Sequence, residues 1–448
     1  MAHALRVGHH RVDITPPLGL PLGGYANFQP PDADGVEAPL FADALFVAED
    51  GNALVFVAFD LIAIEEEWGS RLRAAIGRQL GLPPEHVVLV ATHTHFAPES
   101  RRSRLPHDGG GAWQAWLQRM EQDVLDAAAR AAAAARPARA LTGVRDVSLT
   151  MYNRRLRRPD GSCCTVFRLP LPEEGLTFGP IDPKLRVVRF DDEAGRPIAL
   201  LVSVAIHPVV GGTSQTSLSP DYPGVLRRVA EEALGAPAVF ALGTAGNIVP
   251  IRRGPGQRER IGQTLGWAAA MAAEDAEPLS GTLRVVHRRL EVPAAARGSR
   301  AEMQQAVDEA KACLEAAKAA GDLPRVRRAE VELRRRQVIA RMAEWLGPGE
   351  TLPFEITAFS LGELGVVCLP GEIFVETGLY LQSRSPFPQA LVLSLANMST
   401  GYLPTRTAFL EGGYEVSVTL MSPASEAVAA DAALACLIEA YERLRTLR

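Results

Sequence analysis

The sequence lacks several features that would place the protein in a special class. Its five cysteines are scattered and form no CxxC pair, so a disulfide framework is not expected. It contains no run of about 18 or more apolar residues, which argues against a membrane-spanning helix. Acidic and basic residues nearly balance at a net charge of −5, which argues against nucleic acid as the main partner.

The amino terminus has no apolar segment of the length that a signal peptide needs. Hydrophobic residues make up 47% of the 448 residues and charged residues 22%, as in ordinary globular proteins, and the low net charge argues against disorder. We therefore expect a cytoplasmic protein that acts on, or binds, a small molecule.

Short β-branched apolar runs alternate with longer helical patterns along the chain. The predicted strands are Ala53–Phe59, His86–Ala91, Leu185–Phe190, Ile198–Ile206, Ala238–Leu242, Val366–Leu369 and Leu391–Leu395. The predicted helices are Glu67–Leu80, Ala112–Arg136, Pro223–Leu234, Arg258–Glu274 and Ala424–Arg445. Strands that are apolar on both faces and alternate with helices are typical of a mostly parallel, covered sheet. We therefore predict one α/β domain over residues 1–448.

One segment differs in composition from the rest of the chain. Residues 299–319 and 323–346 are rich in alanine, glutamate, arginine and lysine, and Gly321-Asp322 joins them. This pattern predicts a helical hairpin inserted at residues 297–347. Its arginine-rich second arm is read as a solvated helix face, with an anion-binding or partner surface as the alternative. The amphipathic arms could cover the rim of a site or mediate homo-oligomer formation.

Polar side chains follow the carboxyl ends of the apolar strands. They are Asp60, His93, His207, Asn247, Glu372 and Asn397. Ligands of open α/β sheets bind beyond the carboxyl ends of strands, so this set predicts a site at one rim of the sheet. Asp60 and Asp221 could orient imidazoles there, and Asp60 could equally be a strand-end cap.

The histidines at these strand ends suggest a metal site. His93 and His95 form an H-x-H pair whose rings face the same side if the strand continues, and the alternative is a hydrogen-bonded pair without a metal. Catalytic zinc takes about three protein ligands plus water, and His93, His207 and Glu372 supply such a set. Tyr402 could be a fourth ligand, although a phenol binds a cation well only as phenolate.

The sequence contains no HExxH motif, no GxSxG nucleophile elbow and no phosphate-binding loop. Cys368 lies near Glu372, but its apolar surroundings indicate a buried, inert thiol rather than a nucleophile.

An ordered series of short motifs resembles the amino-terminal catalytic domain of the neutral/alkaline (non-lysosomal) ceramidase family. The motifs are V-D-I-T-P-P at residues 12–17, T-H-T-H at 92–95, N-R-R at 153–155, I-H-P at 206–208, S-P-D-Y-P-G at 219–224, G-N-I-V-P at 246–250, P-G-E at 370–372, G-Y at 401–402 and Y-E at 414–415. The resemblance extends over about residues 5–420, with the predicted hairpin as its weakest part. From the extent of these motifs we expect no counterpart of the family's carboxyl-terminal β-sandwich domain within residues 1–448.

The resemblance implies a zinc-dependent amide hydrolase with His93, His207, Glu372 and Tyr402 as ligands of Zn²⁺. It also implies that three side chains hold the substrate carbonyl or its oxyanion; these are His95, Arg154 and Tyr414. In one motif the chain departs from the family, because Val249 stands where the family has a serine implicated in catalysis, and Asn247 stands at the family's aspartate. Ceramide itself is therefore not the expected substrate.

These observations lead us to expect hydrolysis of a small acyl compound, an amide in the first place, by metal-activated water. His95 is the candidate for proton transfer. Two alternatives remain open: an esterase or lactonase that uses the same metal site, and a non-catalytic binding protein that contains the metal.

Overall fold

The computed structural model describes residues 5–24, 31–49, 51–280, 282–295, 299–323 and 351–445, together with scattered positions between 325 and 340. The strands are β1 (Arg6–Asp13), β2 (Gly35–Val36), β3 (Phe41–Glu49), β4 (Asn52–Phe59), β5 (Val87–Ala91), β6 (Arg136–Asp146), β7 (Met151–Asn153), β8 (Arg155–Arg157), β9 (Cys163–Thr165), β10 (Lys184–Asp192), β11 (Pro197–Val204), β12 (Ser217–Leu218), β13 (Ala238–Leu242), β14 (Ile248–Pro250), β15 (Glu277–Pro278), β16 (Leu283–Pro293), β17 (Thr351–Leu361), β18 (Leu364–Cys368), β19 (Glu372–Ile373), β20 (Gln389–Leu393) and β21 (Tyr402–Leu403). The helices are α1 (Glu66–Leu80), α2 (Ala112–Ala133), α3 (Tyr222–Leu234), α4 (Gln257–Glu274), α5 (Arg300–Ala319), α6 (Val375–Arg384), α7 (Arg406–Glu411), α8 (Tyr414–Val418) and α9 (Ser425–Arg445).

Two sheets form the centre of the fold. The larger has the order β13-β11-β10-β6-β1-β3-β4-β5, with β15 beside β6. Its two halves are joined at β1 and β6 by only two residue pairs, Arg6 with Pro137 and Val7 with Arg136. The smaller sheet has the order β16-β17-β18-β20.

The central strands are apolar on both faces because the sheets lie in a four-layer sandwich. In β4, Val55 and Val57 face the layer of α1–α4, whereas Phe56 and Ala58 face the smaller sheet. The far side of the smaller sheet is covered by α9 and α6. Side chains therefore alternate between the two faces of these strands, and both faces pack against an apolar layer.

The prediction of a mostly parallel sheet is wrong. Among the described strands, the parallel neighbours are the edge pairs β4–β5 and β11–β13 in the larger sheet and β18–β20 in the smaller sheet. The neighbours in between run antiparallel. The continuous apolar runs correctly indicated that both faces of the strands are buried. One face of the larger sheet, however, packs against the smaller sheet and not against a second layer of helices. A mixed α/β fold is what the structure shows.

The carboxyl ends of three strands meet at one place. Strands β5 and β13 lie at opposite edges of the larger sheet, yet they contact each other. The segment after β20 runs between them, since Ala91 N donates to Leu395 O at 3.2 Å and Ser394 N donates to Leu242 O at 2.9 Å. This closure brings the residues that follow β5, β13 and β20 together.

The predicted hairpin at residues 297–347 lies partly outside the described residues. Its first arm, α5, begins at a capping box in which Ser299 Oγ accepts from Glu302 N and the Glu302 carboxylate accepts from Ser299 N. The described positions between 323 and 340 are helical. The insertion as a whole, and the single domain over 1–448, stay predictions. No helix among the described residues is long and apolar enough to cross a membrane.

Candidate metal centre and active site

His93 lies in the turn that follows β5. Its backbone φ of +70° is in the left-handed region, which non-glycine residues adopt mainly where surrounding structure enforces it, often at functional sites. The imidazole is 3% exposed, and its Nδ1 donates to Ile62 O at 2.7 Å. The strand has already ended at Ala91, so the rings of His93 and His95 converge because of this turn and not because of the two-residue period of a continuing strand.

His207 lies three residues beyond β11 and is 1% exposed. Its Nδ1 lies 2.5 Å from Ala245 O and 3.2 Å from Ile248 O, and its backbone N–H also donates to Ile248 O at 3.1 Å. Carbonyl oxygens only accept, so Nδ1 carries the proton and Nε2 carries the lone pair. Burial, and then the positive charge of Arg154, lower the pKa of His207 to about 4, which keeps the ring neutral at neutral pH.

Glu372 joins the two imidazoles. Its Oε2 lies 3.1 Å from His207 Nε2 and 3.3 Å from His93 Nε2. Burial opposes ionisation of this carboxyl, and protonation of either imidazole would lower its pKa well below the ordinary value. The carboxylate is positioned by β19, where Glu372 N donates to Gly401 O at 2.8 Å.

The geometry of these atoms fits a bound divalent cation. In His93 and in His207, Nδ1 donates its proton to a backbone carbonyl, so Nε2 carries a lone pair. Two lone pairs therefore face the ionised carboxylate of Glu372, with no proton between them to form a hydrogen bond. Tetrahedral ligands at about 2.0–2.1 Å from zinc lie about 3.3 Å from one another, close to the 3.1 and 3.3 Å separations seen here. The nitrogens of His93, His95 and His207 also lie within 4.8 Å of one another, so these three residues could hold a metal ion.

His95 faces the two ligand candidates from the next turn. Its ring centroid lies 5.0 Å from that of His93 and 6.0 Å from that of His207. Burial, together with the two neighbouring imidazoles, lowers the pKa of His95 well below its ordinary value. Gly24 leaves room for this ring, because a β-carbon there would stand 2.5 Å from His95 Cγ.

Tyr402 lies beside Glu372. It pairs with Glu372 between β19 and β21, and its hydroxyl accepts from Arg154 Nη2 at 3.1 Å. Burial, and then the nearby Glu372 carboxylate, raise the pKa of Tyr402 well above its ordinary value in the protein without a cation. The structure therefore brings His93, His207, Glu372 and Tyr402 together; their roles as ligands stay predictions.

Arg154 is held in a box of aromatic rings. Its guanidinium carbon lies 5.4 Å from the Phe167 ring centre, 5.6 Å from that of Tyr402 and 5.7 Å from that of Tyr414. Its Nη2 also donates to Gly246 O at 2.8 Å. Burial opposes the charge, but Tyr402 and other neighbours raise the pKa of Arg154 above its ordinary value. These contacts make Arg154 a fixed cation beside the centre.

Glu415 is a residue of this site to which sequence reasoning gave no role. It is fully buried, and its carboxylate accepts from Arg154 Nε at 2.7 Å and from Arg155 Nη1 at 2.9 Å. The signal was present in the N-R-R and Y-E motifs, since two adjacent arginines in a buried setting need an acidic partner. Next to it, burial raises the pKa of the Tyr414 phenol to about 12, so this hydroxyl can donate at neutral pH.

Three other strand-end residues serve the scaffold. Asp60 accepts from Arg227 Nη2 at 2.5 Å and from Phe41 N at 2.9 Å, so it does not orient an imidazole. Asn247 accepts from Val375 N at 3.0 Å and donates to Glu376 at 2.8 Å, which anchors the start of α6. Asn397 Oδ1 accepts from Leu89 N at 3.0 Å.

Asp221 also has a scaffold role, because it accepts from the backbone N–H groups of Gly211 and Tyr222 at 2.9 and 2.7 Å. The idea that Asp60 or Asp221 holds a ligand histidine is wrong, since backbone carbonyls hold both rings.

Val249 cannot contribute to catalysis as a serine would. It lies in β14 opposite Tyr152 and is fully buried in an apolar cluster with Leu156, Val166 and Leu176. Cys368 is fully buried in β18, and burial raises the pKa of its thiol, as expected for an inert cysteine.

Comparison with known proteins points to the same family that the sequence motifs resemble. The sequence profile of the neutral/alkaline non-lysosomal ceramidase N-terminal domain matches residues 5–249, more than half of the chain. The crystal structure of neutral ceramidase from Pseudomonas aeruginosa is similar at 20% identity and a TM-score of 0.73, covering 99% of this chain and 75% of that chain. A ceramidase complexed with C2 is similar at 19% identity and the same TM-score, covering 99% and 76%. At these identities the structural likeness establishes the fold.

Proposed function

Because the chain belongs to the neutral/alkaline non-lysosomal ceramidase family, we propose that it is a metal-dependent hydrolase of a small acyl amide. Family membership suggests cleavage of an amide bond. The observation that carries the proposal for this chain is the approach of His93 Nε2 and His207 Nε2 to the same oxygen of Glu372, at 3.3 and 3.1 Å. Water adds across the C–N bond, giving a carboxylic acid and an amine.

The proposed metal is zinc, held by His93, His207, Glu372 and Tyr402. Imidazole, carboxylate and phenolate are nitrogen and oxygen donors of the kind that suit this ion. A bound zinc ion supplies polarisation of the acyl carbonyl and a water whose pKa falls to roughly 7. The carbonyls of Ile62 and Ala245 fix the two imidazoles with Nε2 turned toward the centre.

The remaining side chains bind and orient the substrate. Tyr414 keeps its proton at neutral pH and donates a hydrogen bond to the carbonyl oxygen as negative charge develops there. Arg154 places a fixed positive charge beside the same oxygen and holds the Tyr402 hydroxyl. His95, neutral at neutral pH, accepts a proton from water and returns it to the departing nitrogen. No protein hydroxyl is required at position 249.

A panel of N-acyl amides and matched esters, assayed with and without a chelator, tests this function. We expect amide turnover that disappears with the metal and returns on addition of Zn²⁺. Chelator-insensitive turnover of a protein without bound metal would overturn the proposal. Stoichiometric metal with no turnover of any amide or ester would instead support the non-catalytic alternative, which the valine at position 249 favours. Turnover of the esters alone would support the esterase or lactonase.

Variants separate metal binding from catalysis. His207→Ala should lose the metal, whereas His95→Ala should retain it and lose about 10²–10³-fold in turnover, the usual effect of removing one group from the reacting centre. His107→Ala is the matched control, because this histidine is exposed and paired with Asp32 at the surface. A fully loaded His207→Ala protein would refute the ligand assignment.

A further inference from the structure

A groove rich in arginine lies beside the metal centre. We call it the arginine groove: a cavity of about 610 Å³ between the loops that follow β9 and β14, lined by Arg168, Arg252 and Arg253 with Ile251 and Phe167 among its apolar residues. Its described lining includes no carboxylate. Such a lining combines positive charge with apolar surface. A neutral lipid would not require the positive charge, and water would not require the apolar surface.

The arginine groove adjoins the proposed active site, with Phe167 at the boundary between them. Ile248, whose carbonyl accepts from His207 N at 3.1 Å, lies only three residues before Ile251 of the groove. On the other side, the Phe167 ring lies 5.7 Å from the Tyr414 ring and 5.4 Å from the Arg154 guanidinium. The groove therefore lies next to the residues proposed to hold the substrate carbonyl.

Two arginines of the groove, Arg168 and Arg252, are placed to bind an anion. Arg168 reaches across to the turn after His207, where its Nη2 stands 3.4 Å from the position of a β-carbon on Gly212. In the part of the chain that the structure describes, neither Arg168 nor Arg252 has an acidic partner. Guanidinium groups match a carboxylate with two parallel hydrogen bonds, so Arg168 and Arg252 in one groove favour such an anion.

We infer that the natural substrate is an acyl amide that carries a carboxylate group, bound in the arginine groove while the amide lies at the metal centre. This inference rests on the proposed function, because it identifies the substrate class of the same site. The carboxylate could belong to the amine part, as in an N-acyl amino acid, or to the acyl part, as in the monoamide of a dicarboxylic acid.

Binding tests the inference independently of turnover. The probes are ketone isosteres of N-octanoylglycine and of neutral N-octanoylethanolamine, in which a methylene replaces the amide nitrogen, titrated calorimetrically into the metal-loaded protein. We expect the anionic probe to bind about tenfold or more tightly than the neutral one, less so at high salt. In a variant with both Arg168→Gln and Arg252→Gln, the anionic probe should weaken about tenfold while the neutral probe is unchanged. Arg78→Gln is the control, since this exposed arginine lies in the last turn of α1.

Kinetic measurements distinguish a failure of this inference from a failure of the proposed hydrolase function. With N-octanoylglycine, the monoamide of octanedioic acid and their neutral counterparts as substrates, a higher kcat/KM for one anionic member identifies the side that carries the carboxylate. Equal binding of the charged and neutral probes, or equal weakening of both by the double substitution, would overturn the inference and leave amide hydrolysis intact. Charge-selective binding without cleavage of any amide would refute the hydrolase and leave the assignment of the groove standing.

Discussion

Removing the carboxylate of Glu415 is expected to destabilise the protein strongly. This side chain is fully buried between two guanidinium groups, with Arg154 Nε at 2.7 Å and Arg155 Nη1 at 2.9 Å, and both arginine side chains are only 4% exposed. Glu415→Ala would leave Arg154 without an acidic partner in a low-dielectric interior, and would leave Arg155 with Glu411 at 3.3 Å as its acidic partner. Arg154 would retain Gly246 O and Tyr402 as partners, which do not neutralise its charge.

The size of the effect follows from the burial. Breaking a buried ion pair by removing one partner costs about 3–5 kcal/mol of unfolding free energy. With an unfolding entropy of about 2.1 cal/mol/K per residue over 448 residues, 4 kcal/mol corresponds to a fall of about 4 °C in Tm. Because Arg154 also holds the Tyr402 hydroxyl, metal affinity should fall as well.

Calorimetry of the metal-free protein measures this change without a contribution from the ion. Glu173→Ala is the matched control: this glutamate pairs with Arg158 at 2.6 Å, and both side chains are exposed, at 43% and 36%. Such a pair contributes about 1 kcal/mol or less. A Glu415→Ala protein that melts within 1 °C of the wild type, or no lower than the control, would refute the reasoning.

Substitutions of Asp43, Gly246 and Val249 have specific expected effects on stability, metal binding and turnover. Although burial opposes it, partners such as His9 hold the pKa of the Asp43 carboxyl well below its ordinary value. Its stabilisation is therefore complete above the unfolded pKa of about 3.9 and is lost as pH falls below that, and Asp43→Asn should flatten this acid limb in denaturant titrations. Gly246→Ala places a β-carbon 2.6 Å from the Glu372 carbonyl oxygen and should weaken metal binding about 10- to 100-fold in chelator competition. Val249→Ser should cost roughly 1–3 kcal/mol in unfolding free energy and give no gain in turnover.

Each of these expectations has a contrary result. An unchanged pH profile for Asp43→Asn, compared with the exposed control Asp108→Asn, would remove Asp43 from the account of acid stability. Unaltered metal affinity in Gly246→Ala would mean that the close contact with β19 does not position Glu372. A rise in turnover for Val249→Ser would show that position 249 reaches the reacting centre.

The elements that could be predicted from sequence are those with strong apolar patterns. Strand β13 lies exactly at Ala238–Leu242 as predicted, and α1 begins only one residue before its predicted start. The strands that were missed, such as β6 and β16, carry charged residues within them and have no continuous apolar run. These are among the antiparallel members of the two sheets, so their omission made the sheet look parallel.

The convergence of the site was predictable in part. His93, His207 and Glu372 were found because each follows a buried strand, and the structure brings them together. Asp60 follows a buried strand equally closely and turns to Arg227 instead. Which polar residue faces the centre depends on turns and on long-range partners, such as the carbonyls that orient each imidazole. These contacts cannot be predicted from any local pattern in a single sequence.

Anomalous scattering at the zinc edge, from crystals of the purified protein, tests the central claim most directly. The account predicts a single strong peak within bonding distance of the Nε2 atoms of His93 and His207 and of the Glu372 carboxylate, and no such peak in crystals of His207→Ala. A peak elsewhere in the molecule, or wild-type crystals grown with Zn²⁺ that show none between these three side chains, would contradict it.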